Sequence, residues 1–262
     1  GMTERPTVTY SPLQGDKFIQ RVLSPLPLQT IALLFHSGWS IERIFRLCFQ
    51  RMNHLKNAPG ASGPTPSLSP HYMKFASAVK YLRALQVQDA INLSYHDADG
   101  VPQLILHINE EDKNREEAKQ FALAINVEPG KTRYALTFSP SLNKANQIRV
   151  VTRSLLGIMF YLSQAVEVSS TDVLQGKVTQ TKTPDGDVFD WKKVTGDLLR
   201  IRSRPNKPEE NTMVIFYRGT WFYVDDSDLS SKSTFSLLAQ IFSLQAGKIK
   251  DNAPLLTLPV GQ

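Results

Sequence analysis

The sequence predicts an α+β fold in which a helical N-terminal layer packs on a mixed or antiparallel sheet, with a C-terminal hairpin and helix behind it. Three observations lead to this expectation. Apolar residues between positions 28 and 87 recur at helical spacing, whereas from residue 90 onward short strand-like runs alternate with turns and helices. Residues 213–246 then have the pattern of a hairpin followed by a helix. Helices that lead into mixed strands and helices are typical of the α+β class.

Length and composition set the broad class of the protein. The chain has 262 residues, of which 41% are hydrophobic and 21% are charged. Those shares are ordinary for globular proteins and exclude general disorder. The length allows one large domain or two small ones. We expect residues 1–26 to form an arm and residues 27–262 a single α+β domain, with the Pro- and Gly-rich loop 57–70 as its candidate seam.

The N-terminal third carries the strongest helical signals. We expect helices over residues 16–23, 28–35, 40–55 and 70–87. Ser40 is suited to cap the third helix, and Ser69 the fourth, with Pro70 at its first helical position. The third helix has one apolar stripe at the helical period, made of Ile41, Ile44, Phe45, Cys48, Phe49, Met52 and Leu55. Basic amphipathic helices also bind membrane surfaces or partner grooves, but such a stripe more often packs in the core.

Beyond residue 90 the pattern is one of strands with helices between them. Strands are expected over residues 90–95, 101–108, 132–138, 147–151 and 198–204, with a hairpin turn at 97–100. A charged helix is expected over 113–125. An apolar helix that starts at Thr152 or Ser154 and runs through Leu162 belongs in the centre of the fold, because it is apolar nearly all round. The chain is expected to end with a hairpin turning at Arg218-Gly219, a helix over 230–246 stopped by Gly247, and an edge strand over 254–259.

Several common chemistries find no support in the residue types. Cys48 is the only cysteine, so an internal disulfide and a thiolate metal site are excluded, and its apolar neighbours predict a buried, inert thiol. The five histidines include no pair at i, i+4, and the chain has no HExxH or G-x-S-x-G motif. The aspartates at 225, 226 and 228 are expected to satisfy the start of a helix rather than to bind calcium. We therefore expect no cofactor and favour a non-catalytic protein.

The candidate functional surface is the densest basic stretch of a chain whose net charge is +6. The candidate residues for binding an anion or a partner are Lys192, Lys193, Arg200, Arg202 and Arg204, with Lys207 close by. If residues 198–204 form a strand, alternation places the three arginines on one face, about 6.5–7 Å apart. Such a row suits phosphates, an acidic peptide or an anionic lipid head group. The alternative is a solvated sheet face with paired arginines, and Trp221 and Tyr223 nearby are expected in the core.

Four phrases of the sequence together carry a family resemblance. They are Ser37-Gly38-Trp39, residues 57–59 (Asn-Ala-Pro) with 63–66 (Gly-Pro-Thr-Pro), residues 152–157 (Thr-Arg-Ser-Leu-Leu-Gly) and residues 221–226 (Trp-Phe-Tyr-Val-Asp-Asp). Through them the chain resembles a family of Gram-negative bacterial proteins that has no known activity and includes members labelled lipoproteins. The resemblance implies a bacterial source and a lipid-anchored protein of the cell envelope, if a lipobox segment precedes these residues. A natural start at Met2 implies the cytoplasm instead.

Three functions remain open from the sequence. The favoured one is a non-catalytic scaffold or interaction module that contacts a protein partner through the basic stretch or the loop 57–70. The second, less favoured, is a protein that binds nucleic acid or another polyanion, although no known nucleic-acid motif is present. The third is an enzyme of unrecognised type whose reactive groups meet only in space. Because no apolar run reaches about 18 residues, we expect no membrane-spanning helix.

Overall fold

The computed structural model describes residues 15–58, 69–98, 100–139, 146–208 and 213–250. The helices in this part of the chain are α1 (Gly15–Leu23), α2 (Leu28–His36), α3 (Ile41–Cys48), α4 (Met73–Val87), α5 (Glu116–Ala124), α6 (Leu155–Ser163), α7 (Ser170–Leu174), α8 (Lys192–Thr195) and α9 (Leu229–Lys250). The strands are β1 (Phe49–Met52), β2 (Leu55–Lys56), β3 (Ile91–Ala98), β4 (Val101–Ile108), β5 (Arg133–Thr137), β6 (Gln147–Thr152), β7 (Arg202–Arg204), β8 (Met213–Tyr217) and β9 (Thr220–Val224). Most of the predicted loop 57–70 and all of the predicted strand 254–259 lie outside the described residues.

A six-stranded mixed sheet forms the centre of the fold and confirms the predicted α+β class. Its strand order is β2-β1-β6-β5-β4-β3, in which β5 and β6 run parallel and the other neighbours antiparallel. Helices α2, α3 and α4 contact one another in sequence and pack on this sheet, as expected of a helical N-terminal layer. The largest fully buried side chains are Phe45, Phe49, Phe75, Phe121, Tyr134 and Tyr161.

The helix predicted over 40–55 is wrong beyond Cys48. Ser40 caps α3 as expected, accepting a backbone N–H at 3.4 Å, but Phe49 has extended backbone (φ −97°, ψ 131°) and begins β1. β1 pairs with β6 and turns at Asn53, whose φ of 47° is left-handed, into β2. The apolar stripe is buried all the same, because helical spacing reports burial rather than backbone geometry. Pairing with β6 supplies the backbone hydrogen bonds that a longer helix would have made.

The ends of two other helices differ from the prediction. α4 begins at Met73, and the Ser69 hydroxyl donates to a backbone carbonyl at 3.2 Å instead of capping the helix. α9 begins after Asp228, whose carboxylate accepts a first-turn N–H at 3.0 Å, as predicted for an acidic helix start. The helix runs past Gly247 to Lys250, so that glycine does not stop it. A glycine inside a helix costs only about 1 kcal/mol relative to alanine. The stability of the neighbouring helical turns outweighs this cost.

One face of α6 is exposed, so this helix does not lie in the centre of the fold. Ser154 caps it as predicted, but Leu156 and Met159 are 45% and 51% exposed. The helix contacts α1, which is formed by part of the segment predicted as an arm. α1 also contacts α9, where the rings of Phe18 and Phe242 lie 5.8 Å apart. The apolar residues of α6 are therefore divided between a buried face and an exposed face.

The C-terminal strands form a second, three-stranded antiparallel sheet in the order β7-β9-β8. The predicted hairpin between β8 and β9 is confirmed, and its turn places Arg218 (φ 50°) and Gly219 (φ 81°) in the left-handed region. Two positive φ values are typical of the tight turns that match the twist of a hairpin. The strand predicted over 198–204 is shorter, because Leu198 and Leu199 enter the buried core and only the last three residues form β7.

Candidate anion-binding site

The structure separates the predicted basic residues. Arg202 and Arg204 lie in β7, and because they are two positions apart their side chains share one face of the small sheet. Arg200 precedes the strand; it is exposed, and its Nε donates to the Gly196 carbonyl at 2.7 Å. Lys193 is exposed on α8. The expected row of three arginines is thus reduced to two, because the strand begins later than predicted.

Lys192 and Arg204 line an open cleft of about 870 Å³. Its walls are the segments 163–171, 179–181 and 188–192 and the end of β7. Nearly half of the lining residues are Ser, Thr or Gln. Such side chains both donate and accept hydrogen bonds without carrying charge. The cleft therefore suits a polar ligand that keeps contact with water.

Backbone pairing and one indole hold the walls of the cleft in place. The Ile201 N–H donates to the Ala165 carbonyl at 3.1 Å, and the Glu167 N–H donates to the Ile201 carbonyl at 2.8 Å. These two bonds fix the segment after α6 beside β7. On the other wall the Trp191 Nε1–H donates to the Thr181 hydroxyl at 3.1 Å. The cleft is thus shaped by contacts within the chain before any ligand enters.

The two cations of the cleft differ in their partners. The Lys192 Nζ lies 3.2 Å from a carboxylate oxygen of Glu167 in a surface pair, a kind that contributes about 0–1 kcal/mol. Among the described residues, Arg204 has no hydrogen-bond acceptor or carboxylate within bonding distance, and its Nε is buried without a partner. A guanidinium with unused donors favours carboxylate or phosphate groups, because it binds their oxygens in a bidentate fork. Arg204 is therefore the residue of the cleft whose chemistry fits an anion.

Arg204 also belongs to a face of the small sheet that carries both cations and aromatic rings. We call this surface the cation–aromatic face, and it comprises Arg202, Arg204, Lys207, Trp221 and Tyr223. The Arg204 guanidinium lies 5.2 Å from the centre of the Tyr223 ring, and the Lys207 Nζ lies 5.7 Å from that of Trp221. Both rings are part-exposed, so their expected place in the core is wrong. Through Arg204 this face is continuous with the cleft.

A serine and two histidines meet on the β3–β4 hairpin without forming a catalytic triad. The Ser94 hydroxyl lies 2.8 Å from His107 Nε2 and 3.0 Å from His96 Nε2. Burial lowers the pKa of His107, and the positive charges of Arg133 and His96 lower it further. In the described part of the chain no carboxylate contacts either imidazole. A triad uses such an acid to orient the imidazole and stabilise its cationic form, so this cluster does not support the enzyme hypothesis.

Sequence reasoning missed a buried polar cluster at the end of α3. Arg153 is only 3% exposed, and the centre of the Tyr161 ring lies 4.2 Å from its guanidinium. Its donors bind four backbone carbonyls, those of Arg46, Leu47, Phe49 and Asn57. Carbonyls at the end of a helix lack partners within the helix. Arg153 therefore satisfies the end of α3 and the start of β1, together with the Asn57 amide, which also donates to the Arg46 and Phe49 carbonyls.

A second buried arginine extends this cluster. Arg46 is 6% exposed and binds both carboxylate oxygens of Asp197, at 2.6 and 2.7 Å. Cys48 is fully buried beside it; burial raises the pKa of its thiol to about 12 although Arg153 acts in the opposite direction, which agrees with the predicted inert thiol. The only sequence signal for the cluster is that Arg153 is the one charged residue within the largely apolar stretch 150–162. The Arg153 Nε is buried without a partner, but the Nη donors of both arginines end on the chain's own oxygens, so the cluster supports the fold rather than a ligand.

Comparison with known proteins gives no relative, since no family model, curated protein or solved structure matches the chain. The resemblance to Gram-negative lipoproteins and the envelope location that it implies therefore stay predictions. Within the residues that the structure describes, no three metal-binding side chains come together, and no helix is long and apolar enough to cross a membrane.

Proposed function

We propose that the protein is a non-catalytic interaction module that binds an anionic partner at the cleft between residues 163–171, 179–192 and β7. The observation that carries the proposal is Arg204. It lines the cleft, has no anionic partner among the described residues, and keeps a buried Nε–H donor unused. The part-exposed guanidinium also has no described acceptor at its Nη atoms. An anion that binds these donors gains charge-assisted hydrogen bonds that no described residue provides.

The walls of the cleft support binding better than acid–base chemistry. The two carboxylates among its described lining residues already have partners: Glu167 pairs with Lys192, and the Asp190 carboxylate accepts the Lys192 backbone N–H at 3.0 Å. Catalysis would need a free acid or base beside a nucleophile. The lining offers hydroxyls and amides that orient a polar ligand instead. The net charge of +6 adds a long-range attraction for an anionic partner.

Chromatography on immobilised heparin, used as a defined polyanion, tests this proposal. The cleft variant Lys192→Gln/Arg204→Gln is compared with Lys193→Gln/Arg200→Gln, which removes the same two charges from the same stretch outside the cleft. We expect the cleft variant to elute at clearly lower salt than the control. Salt screens the charges of both variants alike, but only the two cleft cations lie in one concave binding site. Equal elution of the two variants, or no retention of the wild-type protein, would reject the cleft as the binding site.

A further inference from the structure

We propose that the cation–aromatic face binds single-stranded nucleic acid, with bases stacked on its rings and phosphates held by its cations. This inference rests on the proposed function, because it names the class of anionic partner and extends the same site through Arg204. Single-strand binding proteins combine a positively charged track for the backbone with aromatic side chains on which successive bases stack. The small sheet brings both kinds of group onto one surface.

Strand register places cations and rings side by side. β7 and β9 are antiparallel neighbours, with Arg202 opposite Tyr223 and Arg204 opposite Trp221. Residues opposite one another in such a pair point to the same face of the sheet. Along each strand, residues two apart are separated by about 6.5–7 Å. The result is a two-by-two arrangement in which each arginine lies beside a ring.

Both rings are part-exposed, and Trp221 also packs against the exposed Phe216, whose ring centre lies 4.8 Å away. The Arg204 guanidinium and the Lys207 Nζ lie over the rings of Tyr223 and Trp221, and Lys207 is exposed. A mobile cation over a ring holds the place that a base takes when it stacks. When a base displaces the cation from the ring, the phosphate of the same nucleotide binds that cation. This charged hydrogen bond is stronger than the cation–ring contact that it replaces. One nucleotide therefore satisfies both groups at once.

The rings distinguish a nucleic acid from an acidic peptide. A carboxylate side chain presents charge but no aromatic face, whereas every base presents one. The nucleic acid has to be single-stranded, because the faces of bases within a duplex are already stacked on neighbouring bases and do not contact the protein's rings. A negative group also borders the site: the Asp225 carboxylate lies 3.6 Å from Arg202 in a surface pair. A phosphate that binds Arg202 has to replace only this weak surface contact, so we assign one phosphate contact to Arg202 and one to Arg204.

Fluorescence anisotropy of a labelled thymidine oligonucleotide, about 15 nucleotides long to match the usual single-strand site, tests the inference. The variant Tyr223→Leu removes a ring from the proposed face without changing the charge. Its control is Tyr217→Leu, the same substitution on β8, whose partner Thr220 lies on the opposite face of the same hairpin. Circular dichroism confirms that each variant is folded.

We expect Tyr223→Leu to weaken oligonucleotide binding about 5- to 150-fold, the range for losing one stacked base, and Tyr217→Leu to leave it nearly unchanged. Arg202→Gln provides a second measurement if Tyr223→Leu does not fold. It should reduce the slope of log affinity against log salt by about 0.7, the contribution of one phosphate on a single strand. Equal effects of the two tyrosine substitutions, or an unchanged salt slope for Arg202→Gln, would overturn the inference.

Heparin retention separates the two proposals. Because Tyr223→Leu keeps every cation, it should elute from heparin like the wild-type protein while losing the oligonucleotide. Retention on heparin that depends on Lys192 and Arg204, without any oligonucleotide binding, would reject nucleic acid as the ligand but would support the cleft as the binding site for another anion. A labelled polyglutamate peptide that binds as tightly as the oligonucleotide, and is unaffected by Tyr223→Leu, would assign the face to an acidic protein instead. Loss of all three kinds of binding rejects both proposals.

Discussion

Two arginine–tyrosine pairs in this molecule make the same kind of cation–aromatic contact in opposite surroundings. The Arg153 guanidinium lies 4.2 Å from the Tyr161 ring centre in the main core, and that of Arg204 lies 5.2 Å from Tyr223 on the small sheet. Arg153 is almost fully buried and donates to four backbone carbonyls. Arg204 is part-exposed and donates to no described residue. In both arginines the Nε is buried without a partner, so the use of the Nη donors, not the cation–aromatic contact, decides whether such a pair holds the fold together or remains free for a ligand.

Burial makes the first pair costly as well as useful. Desolvation lowers the pKa of Arg153 to about 10, although Tyr161 and Cys48 act in the opposite direction. The side chain is retained because it joins segments that are distant in sequence. Its Nη1 binds the end of α3 and the start of β1, and its Nη2 binds the Asn57 carbonyl after β2. A buried polar group of this kind stabilises only while all its partners are in place.

Replacing Arg153 by methionine should have the largest effect on stability. Arg153→Met fills a similar volume but removes the side-chain donor of the buried Leu47 and Asn57 carbonyls, each loss costing about 1–3 kcal/mol. The Arg46 and Phe49 carbonyls keep the Asn57 amide as a donor, so we expect a loss of about 3–5 kcal/mol, a large part of the stability of a typical domain. Urea unfolding followed by circular dichroism measures it, with Arg149→Met on the exposed side of β6 as the matched control. A cooperative transition within about 1 kcal/mol of wild type would show that water replaces the guanidinium.

Removing Asp197 should cost less, because the outer side of this carboxylate faces solvent. Asp197→Ala deprives the 6%-exposed Arg46 of both its short hydrogen bonds, leaving the Val194 carbonyl at 2.8 Å and Glu42 at 3.5 Å. Breaking a buried ion pair from one side costs about 3–5 kcal/mol, and we expect about 2–3 here because 62% of the Asp197 side chain is exposed. The control Asp172→Ala breaks a surface pair of 3.9 Å and should change stability by less than about 0.5 kcal/mol.

The same ion pair predicts how stability depends on pH. Burial raises the pKa of Asp197, but the hydrogen bonds and charge of Arg46 outweigh it, so the pKa lies below its ordinary value in the folded state. The stabilisation is therefore complete above the unfolded-state pKa of about 3.9 and is lost as the pH falls through the lower, folded value. Unfolding measured in urea at stepped pH should show wild type and Asp197→Ala converging as the pH falls below about 4. A constant difference down to the acid limit would contradict the assignment.

The fold class was predictable because it depends on patterns that each segment carries by itself. Alternation identified β3, β4 and the β8–β9 hairpin, and turn residues such as Gly219 marked where they reverse. The boundary between α3 and β1 was not predictable. It depends on Arg153, about a hundred positions later, whose donors satisfy the carbonyls where the helix ends. Local periodicity contains no information about such a distant partner.

The candidate site was likewise predictable in part, where the signal lies within one segment of the sequence. The density of basic residues pointed to the segment that contains Lys192 and Arg204, and both line the cleft. The cleft itself is built from segments after α6 and before α8 that carry weak sequence signals, so nothing local predicted it. Trp221 and Tyr223 were assigned to the core because aromatic residues are usually buried. Their exposure follows from the small size of the second sheet, which leaves the cation–aromatic face partly uncovered.

Replacing Arg204 by methionine should have the smallest effect on stability and so sharpens the contrast with Arg153. Arg204→Met loses a surface cation–π contact of about 0.5–1 kcal/mol but also removes the buried Nε–H donor that has no partner. Because these two contributions oppose each other, we expect the free energy of unfolding to stay within about 0.5 kcal/mol of wild type. Urea unfolding measures this, and heparin retention measured on the same sample should fall. A loss of stability comparable with that of Arg153→Met, with heparin retention unchanged, would mean that both arginine–tyrosine pairs are structural and that Arg204 does not bind a ligand.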